Sequence, residues 1–314
     1  MRGLGLVTIG QTMAVIRSRT ERPLEHGARL GLSFAGAETN VAIGMRRLGI
    51  PATWIGHLGP DALADMIRRE LRAEGVQARV RVDPDRPTGL ILSEQRTSGT
   101  TRIWYYRKDA AGVGLSAADV DGTLVAAASL LHVTGILLCL GPGPAEAVTH
   151  AVELARAAGV PVSVDLNYRS ALATPEEFAQ LARPLIAAAD IVFATADEAA
   201  LLTGLQDPAD MAKALHAAGP PTVVIKSGAD GSLLSCPDGR FRRDAIAVRV
   251  VDTVGAGDAF AAGFLAAFLA GHDAEQQIDQ AVRVAGFSVA SDGDWEGLPS
   301  AAELVLHSGK DVLR

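Results

Sequence analysis

The sequence predicts an α/β protein whose central sheet is mainly parallel and is covered by helices on both faces. Two observations support this fold class. From about residue 39 onward, short runs rich in Val and Ile alternate with segments of helical pattern, and Gly, Asp or Pro marks many of the boundaries. Strands that are buried on both faces are continuous apolar runs, and strands that alternate with helices pair in parallel.

The first part of the chain gives the elements in order. A first strand is predicted over 4–9 and a helix over 39–48, followed by a strand over 52–55. Asp61 can then cap a helix that runs to Gly75, because an Asp side chain accepts hydrogen bonds from first-turn amides and Gly suits the left-handed residue that ends a helix.

The alternation continues in the second part of the chain. One helix ends near Gly159, another begins near Pro175, where proline suits the first turn, and a third closes at Gly204. A last helix begins near Asp258 and is apolar nearly all round, which is typical of a buried helix. Four further strands are predicted between these helices, over 131–134, 162–164, 191–193 and 223–225.

Two segments, about 12–34 and 89–110, break this alternation. The second contains strands predicted over 91–94 and 102–107, with a turn at 97–100. We interpret the two segments as a small antiparallel β lid inserted into a single domain that spans 1–314.

Composition excludes several function classes. The 314 residues are 48% apolar and 21% charged, with a formal net charge of −7, whereas a general nucleic-acid binder needs clustered Lys and Arg. Cys139 and Cys236 give no disulfide framework and no zinc pattern. No apolar run reaches the ~20 residues that span a bilayer, and no cleavable signal pattern is present. We expect a cytoplasmic protein that binds neither nucleic acid nor membrane.

The most informative motif is Asp252–Asp258, which reads D-T-V-G-A-G-D and opens the buried helix. Glycines let the backbone approach a ligand closely, and a helix start offers unpaired N–H groups and positive potential. The motif therefore predicts an anion cradle suited to phosphate. A carboxylate beside such a cradle needs a purpose, and Asp258 fits the removal of a proton from an attacking hydroxyl.

The two common nucleotide motifs are absent. The P-loop pattern does not occur, and the dinucleotide pattern fails because Phe260 stands where the third glycine belongs. The motif instead resembles the second signature of the ribokinase-like (PfkB-type) sugar kinases, and 35–42, A-G-A-E-T-N-V-A, resembles their first signature. The resemblance covers essentially the whole chain. It implies a three-layer ribokinase-like sandwich with ATP and Mg²⁺ as cofactors, together with a monovalent cation such as K⁺ in some members.

Within this family the chain is most similar to 2-keto-3-deoxygluconate kinases. Four segments carry the similarity: 88–90, 104–108, 165–169 and 294–299. The resemblance implies ATP-dependent phosphorylation of the terminal hydroxyl of a six-carbon sugar acid. It also implies a homo-oligomer, for example a dimer formed through the lid.

The resemblance assigns roles to individual residues. The catalytic base and its cradle are Asp258, Gly255, Ala256 and Gly257. The substrate is contacted by Gly36, Asn40, Tyr105, Arg107 and Arg169. The nucleotide is contacted by Ser227, Gly228, Gly231 and Asn167. Glu198 and Asp165 are assigned to the hydrated magnesium ion. Guanidinium groups suit a sugar acid, because the planar fork of an arginine matches a carboxylate in two hydrogen bonds.

Each role has a structural alternative. Asp258 can be a helix cap, 255–257 a plain tight turn, and 227–231 an ordinary hairpin turn. Arg107 and Arg169 can be a solvated lid charge and a structural ion pair. Tyr105 can belong to the core of the lid, and Glu198 can be a carboxylate on a helix surface.

The chain departs from the family pattern at four positions. Thr195 replaces the Asn of the magnesium motif, Gln11 replaces an acid after the first-strand glycine, Ile91 replaces a tyrosine, and Ala35 replaces a glycine. None of them touches Asp258, so the reaction class stands and the substrate identity is what they weaken. The alternatives are a kinase for fructose, another neutral sugar or a nucleoside, a non-catalytic binding scaffold and, more distantly, a dehydrogenase.

Overall fold

The computed structural model describes residues 4–18, 24–97 and 100–306. The strands of this part of the chain are β1 Leu6–Ile9, β2 Met13–Ser18, β3 Leu30–Ala35, β4 Ala52–Leu58, β5 Gln77–Val82, β6 Leu90–Thr97, β7 Thr100–Tyr106, β8 Leu130–Thr134, β9 Val162–Asp165, β10 Ile191–Thr195, β11 Thr222–Lys226, β12 Ser232–Cys236 and β13 Gly239–Arg243. Its α-helices are α1 Ala37–Arg47, α2 Ala62–Ala73, α3 Gly122–Ala126, α4 Pro142–Ala158, α5 Pro175–Ala187, α6 Ala196–Thr203, α7 Pro208–His216, α8 Ala256–Leu269, α9 Ala274–Val289 and α10 Ala301–Leu306.

Most of the strands form one large sheet in the order β13-β12-β11-β10-β9-β8-β1-β4-β5. Every pairing from β11 to β5 is parallel, and β12 and β13 extend the sheet as an antiparallel edge. The predicted α/β class and the mainly parallel sheet are confirmed. The edge strands β5, β12 and β13 were not predicted, because β5 and β13 alternate polar and apolar residues instead of forming a continuous Val and Ile run.

Helices cover both faces of this sheet, as the sandwich requires. Neighbouring strand residues point into different cores: Val7 packs in the core under α4 to α7, and Leu6 packs in the core under α1, α2, α8 and α9. Val223 and Val224 divide between the two cores in the same way. The period-2 alternation of a strand thus serves two apolar layers at once.

The remaining strands form a second sheet in the order β3-β2-β6-β7. The β2–β3 and β6–β7 pairings are antiparallel, and the central β2–β6 pairing is parallel. The predicted lid segments, 12–34 and 89–110, contain all four strands. In the predicted turn at 97–100, Thr97 pairs with Thr100, whereas Ser98 and Gly99 lie outside the described residues.

Several predicted helix boundaries are confirmed. The Asp61 side chain accepts a hydrogen bond from the Ala64 N–H at 2.9 Å, and Thr174 caps α5 immediately before Pro175. Gly159 and Gly204 end their helices in the left-handed conformation. The first strand starts at Leu6 rather than at residue 4.

The helix α8 is buried against the middle of the main sheet. Phe264 contacts Phe193 of β10 edge-on, with 5.3 Å between ring centroids, and Phe260 meets the same ring at 6.4 Å. Burial on this scale fixes the helix start beside the carboxyl ends of the parallel strands, which is where α/β sheets bind ligands. Across the described segments, we find no helix with the length and apolar character that crossing a membrane requires.

Candidate active site

The candidate site is built around the start of α8. Gly255 is the residue before the helix and has a φ of 77°, and a Cβ placed there would lie 2.0 Å from the carbonyl oxygen of Asp294. Only glycine fits this position without moving the neighbouring loop. Asp258 lies in the first turn and is not the capping residue, because Gly255 occupies the cap and has no side chain to bond to the first amides. The capping alternative for Asp258 is therefore rejected.

The two signature segments meet at this helix start. The Asn40 side-chain amide, on α1, donates a hydrogen bond to Asp258 Oδ2 at 2.8 Å. The other end of that amide, Asn40 Oδ1, is buried and has no hydrogen-bond partner within the described residues. The structure thus brings together two residues that lie far apart in sequence and leaves an acceptor beside the carboxylate.

The surroundings of Asp258 raise its pKa to about 6. Burial is the largest cause, and the nearby Asp165 carboxylate acts in the same direction. The Asn40 hydrogen bond and the positive charges of Lys226 and Arg169 oppose them. Such a carboxylate is still ionised at neutral pH and holds a proton better than an ordinary aspartate, which suits a general base.

A buried ion pair lies next to the helix start. Lys226 Nζ, at the end of β11, is 2.6 Å from Asp165 Oδ2, at the end of β9, and their side chains are 11% and 4% exposed. A Cβ at Gly257 would lie 3.3 Å from the same Nζ. The lysine therefore places a positive charge beside the glycine turn. Lys226 was not among the predicted site residues, although a lysine that ends a buried Val and Ile strand was a usable signal.

Glu198 has a structural role besides the predicted one, and the T-x-x-E pattern of 195–198 is the sequence signature of that role. Its two carboxylate oxygens accept hydrogen bonds from the N–H groups of Tyr168 and Thr195, each at 2.8 Å, and the Thr195 hydroxyl accepts the Glu198 N–H in return. The reciprocal pair is a capping box at the start of α6. Burial, with a contribution from Asp165, raises the pKa of Glu198.

Two arginines and a tyrosine approach the site from the lid and from the loop after β9. The Arg107 guanidinium lies over the Tyr105 ring, 5.1 Å from its centroid, and its Nε is buried with no hydrogen-bond partner in the described part of the chain. Burial lowers the pKa of Arg107, and the charge of Arg169 contributes to this. Tyr105 is 47% exposed, so it does not belong to the core of the lid.

A second buried acid, which was not predicted, lies in the same region. Glu38 on α1 is 1% exposed and accepts a hydrogen bond from the Thr134 hydroxyl at 2.5 Å. Burial raises its pKa to about 7, and it interacts electrostatically with Asp258 and Arg107. Glu38 lies in the first signature, 35–42, but its burial against Thr134 could not be predicted, because Thr134 lies in a strand almost a hundred positions away.

The predicted nucleotide loop has the geometry of a hairpin turn. It joins β11 to β12, and the Ser227 N–H donates to the Gly231 carbonyl at 2.8 Å. Gly228 and Gly231 have positive φ angles of 58° and 85°. Asn167, which was assigned to the same ligand, follows β9 with a φ of 45°, and its Oδ1 is buried without a partner within the described residues.

Comparison with known proteins identifies the family. Residues 4–301 match the pfkB family carbohydrate kinases. The chain belongs to this family. The family and the kinase class expected from the signatures are confirmed, and the protein is an ATP-dependent carbohydrate kinase.

Three curated relatives of this pfkB-family chain are kinases of keto-deoxy sugar acids. The chain is 33% identical to 2-dehydro-3-deoxygluconokinase of Thermoproteus tenax, covering 96% of this chain and 93% of the relative. It is 33% identical to 2-dehydro-3-deoxygluconokinase of Bacillus subtilis, with 96% and 94% covered. It is 32% identical to 5-dehydro-2-deoxygluconokinase of Shouchella clausii, with 90% and 88% covered.

Solved structures of pfkB-type proteins have the same fold. A PfkB protein from Polaromonas sp. JS666 superposes with a TM-score of 0.88 at 32% identity, covering 96% of this chain and 99% of that chain. A candidate ribokinase II from E. coli, solved in complex with ATP and Mg²⁺, gives 0.88 at 25% identity, with 96% and 98% covered. The ribokinase-like fold class is therefore confirmed.

The structure shows the contacts and the burial of the four residues that depart from the pfkB-family pattern. Thr195 takes part in the capping box, so it keeps the start of α6 in place. Gln11 is 4% exposed, and neither end of its amide has a partner within the described residues. Ile91 lies in β6 opposite Tyr105 of β7, and Ala35 ends β3 just before Gly36. A Cβ at Gly36 would lie 2.5 Å from the Gln11 carbonyl oxygen, so the start of α1 packs closely against the chain after β1.

Proposed function

We propose that this pfkB-family protein transfers the γ-phosphoryl group of ATP to the terminal hydroxyl of 2-keto-3-deoxygluconate, which is also called 2-dehydro-3-deoxygluconate. The observation that carries the reaction class is the Asp258 carboxylate, which is held by Asn40 beside the open first turn of a buried helix. The substrate class rests on relatives that are kinases of keto-deoxy sugar acids and on Arg107, whose buried Nε has no partner within the described residues and whose charge interacts with that of Arg169.

Asp258 is the proposed general base. Its carboxylate accepts the proton of the sugar hydroxyl while the hydroxyl oxygen bonds to the γ-phosphorus and the bond from that phosphorus to the β-phosphate oxygen breaks, which releases ADP. Its pKa of about 6 keeps it ionised at neutral pH, while the proton affinity is higher than that of an exposed aspartate.

The turn formed by Gly255, Ala256 and Gly257 is the proposed anion cradle. The first amides of a helix have no partner within the helix and point outward with positive potential. Lys226, which is ion-paired with Asp165, lies beside Gly257 and contributes positive potential there. Phosphoryl transfer depends mostly on positioning and charge stabilisation, and a cradle fixed on a buried helix needs no rearrangement at the moment of transfer.

The residues present fit a magnesium ion that is carried on ATP rather than one held by the protein alone. Among the described residues, no group of three His, Cys, Asp or Glu side chains is arranged to hold a metal. Asp165 at the end of β9 and Glu198 in the first turn of α6 supply two carboxylates, which suits a hydrated Mg²⁺ that is bound mainly by phosphate oxygens. The ion would neutralise charge on the phosphates. We assign Ser227, Gly228, Gly231 and Asn167 to the nucleotide.

We propose that Arg107 and Arg169 bind the carboxylate of the substrate. Burial lowers the pKa of Arg107, and repulsion from the positive charge of Arg169 acts in the same direction. A bound carboxylate would relieve that repulsion and satisfy the buried Arg107 Nε. Gly36, Asn40 and Tyr105 are assigned to the remainder of the sugar acid.

The four-stranded sheet is the proposed lid of a single domain. It carries Tyr105 and leads into Arg107, so its movement would enclose the substrate.

The outer strands of the lid sheet expose Leu30, Leu32 and Ile103, which are 46%, 55% and 40% exposed. We propose that this surface pairs with the same surface of a second copy. Light scattering that gives a monomer at all concentrations would exclude the dimer.

The substrate assignment is tested by a coupled ADP-release assay over keto-deoxy sugar acids, fructose, ribose and nucleosides. We expect 2-keto-3-deoxygluconate to give the highest kcat/KM. Exchanging Arg107 and Arg169 for Met should raise its KM roughly 10- to 100-fold, the equivalent of losing charge-assisted hydrogen bonds. Arg102→Met is the matched control, because Arg102 lies on β7 on the face opposite Tyr105. An unchanged KM in the double variant would favour a kinase of neutral sugars.

A further inference from the structure

A single arginine joins the lid sheet to the loops around the phosphate cradle. Arg17 lies on β2, and its guanidinium contacts three carboxylates: Asp292 at 2.6 Å, Asp252 at 2.9 Å and Asp294 at 3.2 Å. The Arg17 side chain is 20% exposed, and that of Asp294 is 13% exposed. An arginine with three partners from two separate loops, most of it buried, is unlike an ordinary solvated surface pair.

Two of these carboxylates belong to residues that shape the cradle. Asp252 begins the glycine turn, and its Oδ1 accepts the Val254 N–H at 3.0 Å while its Oδ2 contacts Arg17. Asp294 presents its carbonyl oxygen to Gly255 so closely that no Cβ fits between them. Arg17 therefore contacts the side chain of each residue that fixes the turn.

The loop that carries Asp294 is also attached to the lid by its next two residues. The Trp295 indole N–H donates to the Phe34 carbonyl at 3.0 Å, and the Trp295 ring lies 4.9 Å from the Phe34 ring. The Ser33 hydroxyl donates to Glu296 Oε1 at 2.5 Å. The segment 294–299, one of those that carry the similarity to sugar-acid kinases, thus connects strands β2 and β3 with the start of α8.

The positive charge of Arg17 also changes the electrostatic potential around the cradle. Asp252, Asp292 and Asp294 place negative charge around a turn that has to receive the phosphate groups of ATP. Without a cation among them, these carboxylates repel one another and the incoming anion. The guanidinium removes much of that repulsion, and its planar fork can bond to several carboxylates at once, which an ammonium group does less well.

We propose that Arg17 is a positioning residue for phosphoryl transfer. It holds the turn 252–257 at a fixed place relative to the lid sheet, and it neutralises the carboxylates next to the cradle. It acts through Asp252 and Asp294 and does not touch the reacting atoms. The inference rests on the proposed role of the glycine turn as the cradle for the transferred phosphate.

The test compares Arg17→Met with Arg156→Met. Arg156 is the matched control, since it is ion-paired with Asp190 at 3.6 Å just before β10 begins, at the edge of the sheet opposite the site. Assays with 2-keto-3-deoxygluconate and ATP, both saturating, are run at a temperature well below the unfolding of each variant. We expect kcat to fall roughly 10- to 100-fold in Arg17→Met, because small displacements of catalytic groups cost this much. Arg156→Met should keep the wild-type kcat.

Chemical rescue separates positioning from simple loss of stability. Guanidinium chloride, at concentrations that leave the wild-type rate unchanged, should restore part of kcat in Arg17→Ala by entering the space among the three carboxylates. If Arg17→Met does not fold, Arg17→Lys takes its place. It keeps one charge but loses the fork, and we expect kcat to fall roughly 3- to 10-fold, the equivalent of one lost hydrogen bond.

A wild-type kcat in Arg17→Met, or in Arg17→Lys where Met does not fold, would overturn the proposal. So would a lowered melting temperature with kcat unchanged, and so would the absence of guanidinium rescue. Asp258→Asn is assayed in parallel. If Asp258→Asn is inactive while Arg17→Met is fully active, only the role of Arg17 is wrong. If Asp258→Asn keeps its activity, the proposed reaction mechanism is wrong as well.

Discussion

The pKa of Asp258 is set by opposing effects, of which burial is the largest. Burial and the negative charge of Asp165 raise its pKa, while the Asn40 amide, Lys226 and Arg169 lower it, and the balance is about 6. Removing any one of these neighbours should therefore move the proton affinity of the base in a direction that the structure fixes in advance.

The pH dependence of kcat/KM follows from this balance. The base must be ionised to act, so activity should fall as the pH drops through about 6 and should level off above it. In Asn40→Ala the hydrogen bond that lowers the pKa of Asp258 is lost, so the acidic limb should move to higher pH. Asn167→Ala is the control, because Asn167 makes no hydrogen bond to Asp258, and its limb should stay in place. An acidic limb that moves to lower pH in Asn40→Ala would contradict this account.

The sequence predicted the individual site residues unevenly. Asp258 and Asn40 were found because each lies in a compact signature, and the structure joins their side chains. Lys226 and Glu38 were missed, because their importance depends on neighbours contributed by distant strands, Asp165 and Thr134. Their partners leave no local pattern, although the position of Lys226 at the end of a buried strand and that of Glu38 in the first signature were usable signals. The catalytic, substrate, nucleotide and metal assignments all stay predictions.

At the scale of the element, helix α8 offers a matched pair of glycines. Gly255 and Gly271 flank the helix with nearly equal φ angles, 77° and 78°. A Cβ at Gly255 would lie 2.0 Å from the Asp294 carbonyl oxygen, whereas a Cβ at Gly271 would meet nothing within 4 Å. The two sites differ in packing and not in backbone conformation.

Gly271→Ala should therefore cost only the strain of a left-handed alanine, roughly 1–2 kcal/mol of unfolding free energy, with kcat unchanged. Gly255→Ala should be more destabilising and should lower kcat as well, because Asp294 and the cradle must move apart. Denaturant unfolding and steady-state kinetics measure both effects. Equal losses of stability, with wild-type kcat in both variants, would show that the turn at Gly255 is not a precise cradle.

The helix boundaries that we predicted correctly are those set by interactions between residues close in sequence. The capping Asp61, Pro175 at its helix start and the closing Gly204 each act within one turn, and the structure confirms them. Strand β13 was missed because its solvent-facing residues, such as Arg240 and Arg242, hide the apolar pattern of an edge strand.

At the scale of the whole molecule, the two sides of the lid sheet are attached to the main body differently. Strands β2 and β3 are held to the loop that carries Asp294 by the contacts of Arg17 and Ser33, whereas β7, at the other side of the sheet, leads into Arg107. The β6–β7 side of the sheet can therefore move against the fixed side and exclude water from the reaction.

We expect binding of the sugar acid to bring the lid sheet closer to the main sheet. Small-angle scattering should show a smaller radius of gyration with 2-keto-3-deoxygluconate than without it. Fructose at the same concentration is the control, because it lacks the carboxylate that Arg107 and Arg169 would bind. Identical scattering curves with and without the sugar acid would contradict lid closure.

The overall architecture was largely predictable because two physical rules determine it. Strands rich in Val and Ile have to be covered on both faces, and the predicted helices between them supply that cover. The lid segments were predicted because strands and helices do not alternate in 12–34 and 89–110. Its parallel β2–β6 pairing could not be predicted, because register between strands so far apart in sequence is decided by tertiary packing.

The central claim is that the Asp258 carboxylate takes the proton from the sugar hydroxyl, and the Asp258→Asn variant tests it most directly. Asp273→Asn is the control, since Asp273 does cap a helix, α9, and asparagine caps equally well. We expect the single-turnover rate of Asp258→Asn to fall roughly 10²- to 10⁴-fold with ATP affinity retained, while Asp273→Asn keeps the wild-type rate. A single-turnover rate in Asp258→Asn close to that of the wild type would contradict the account.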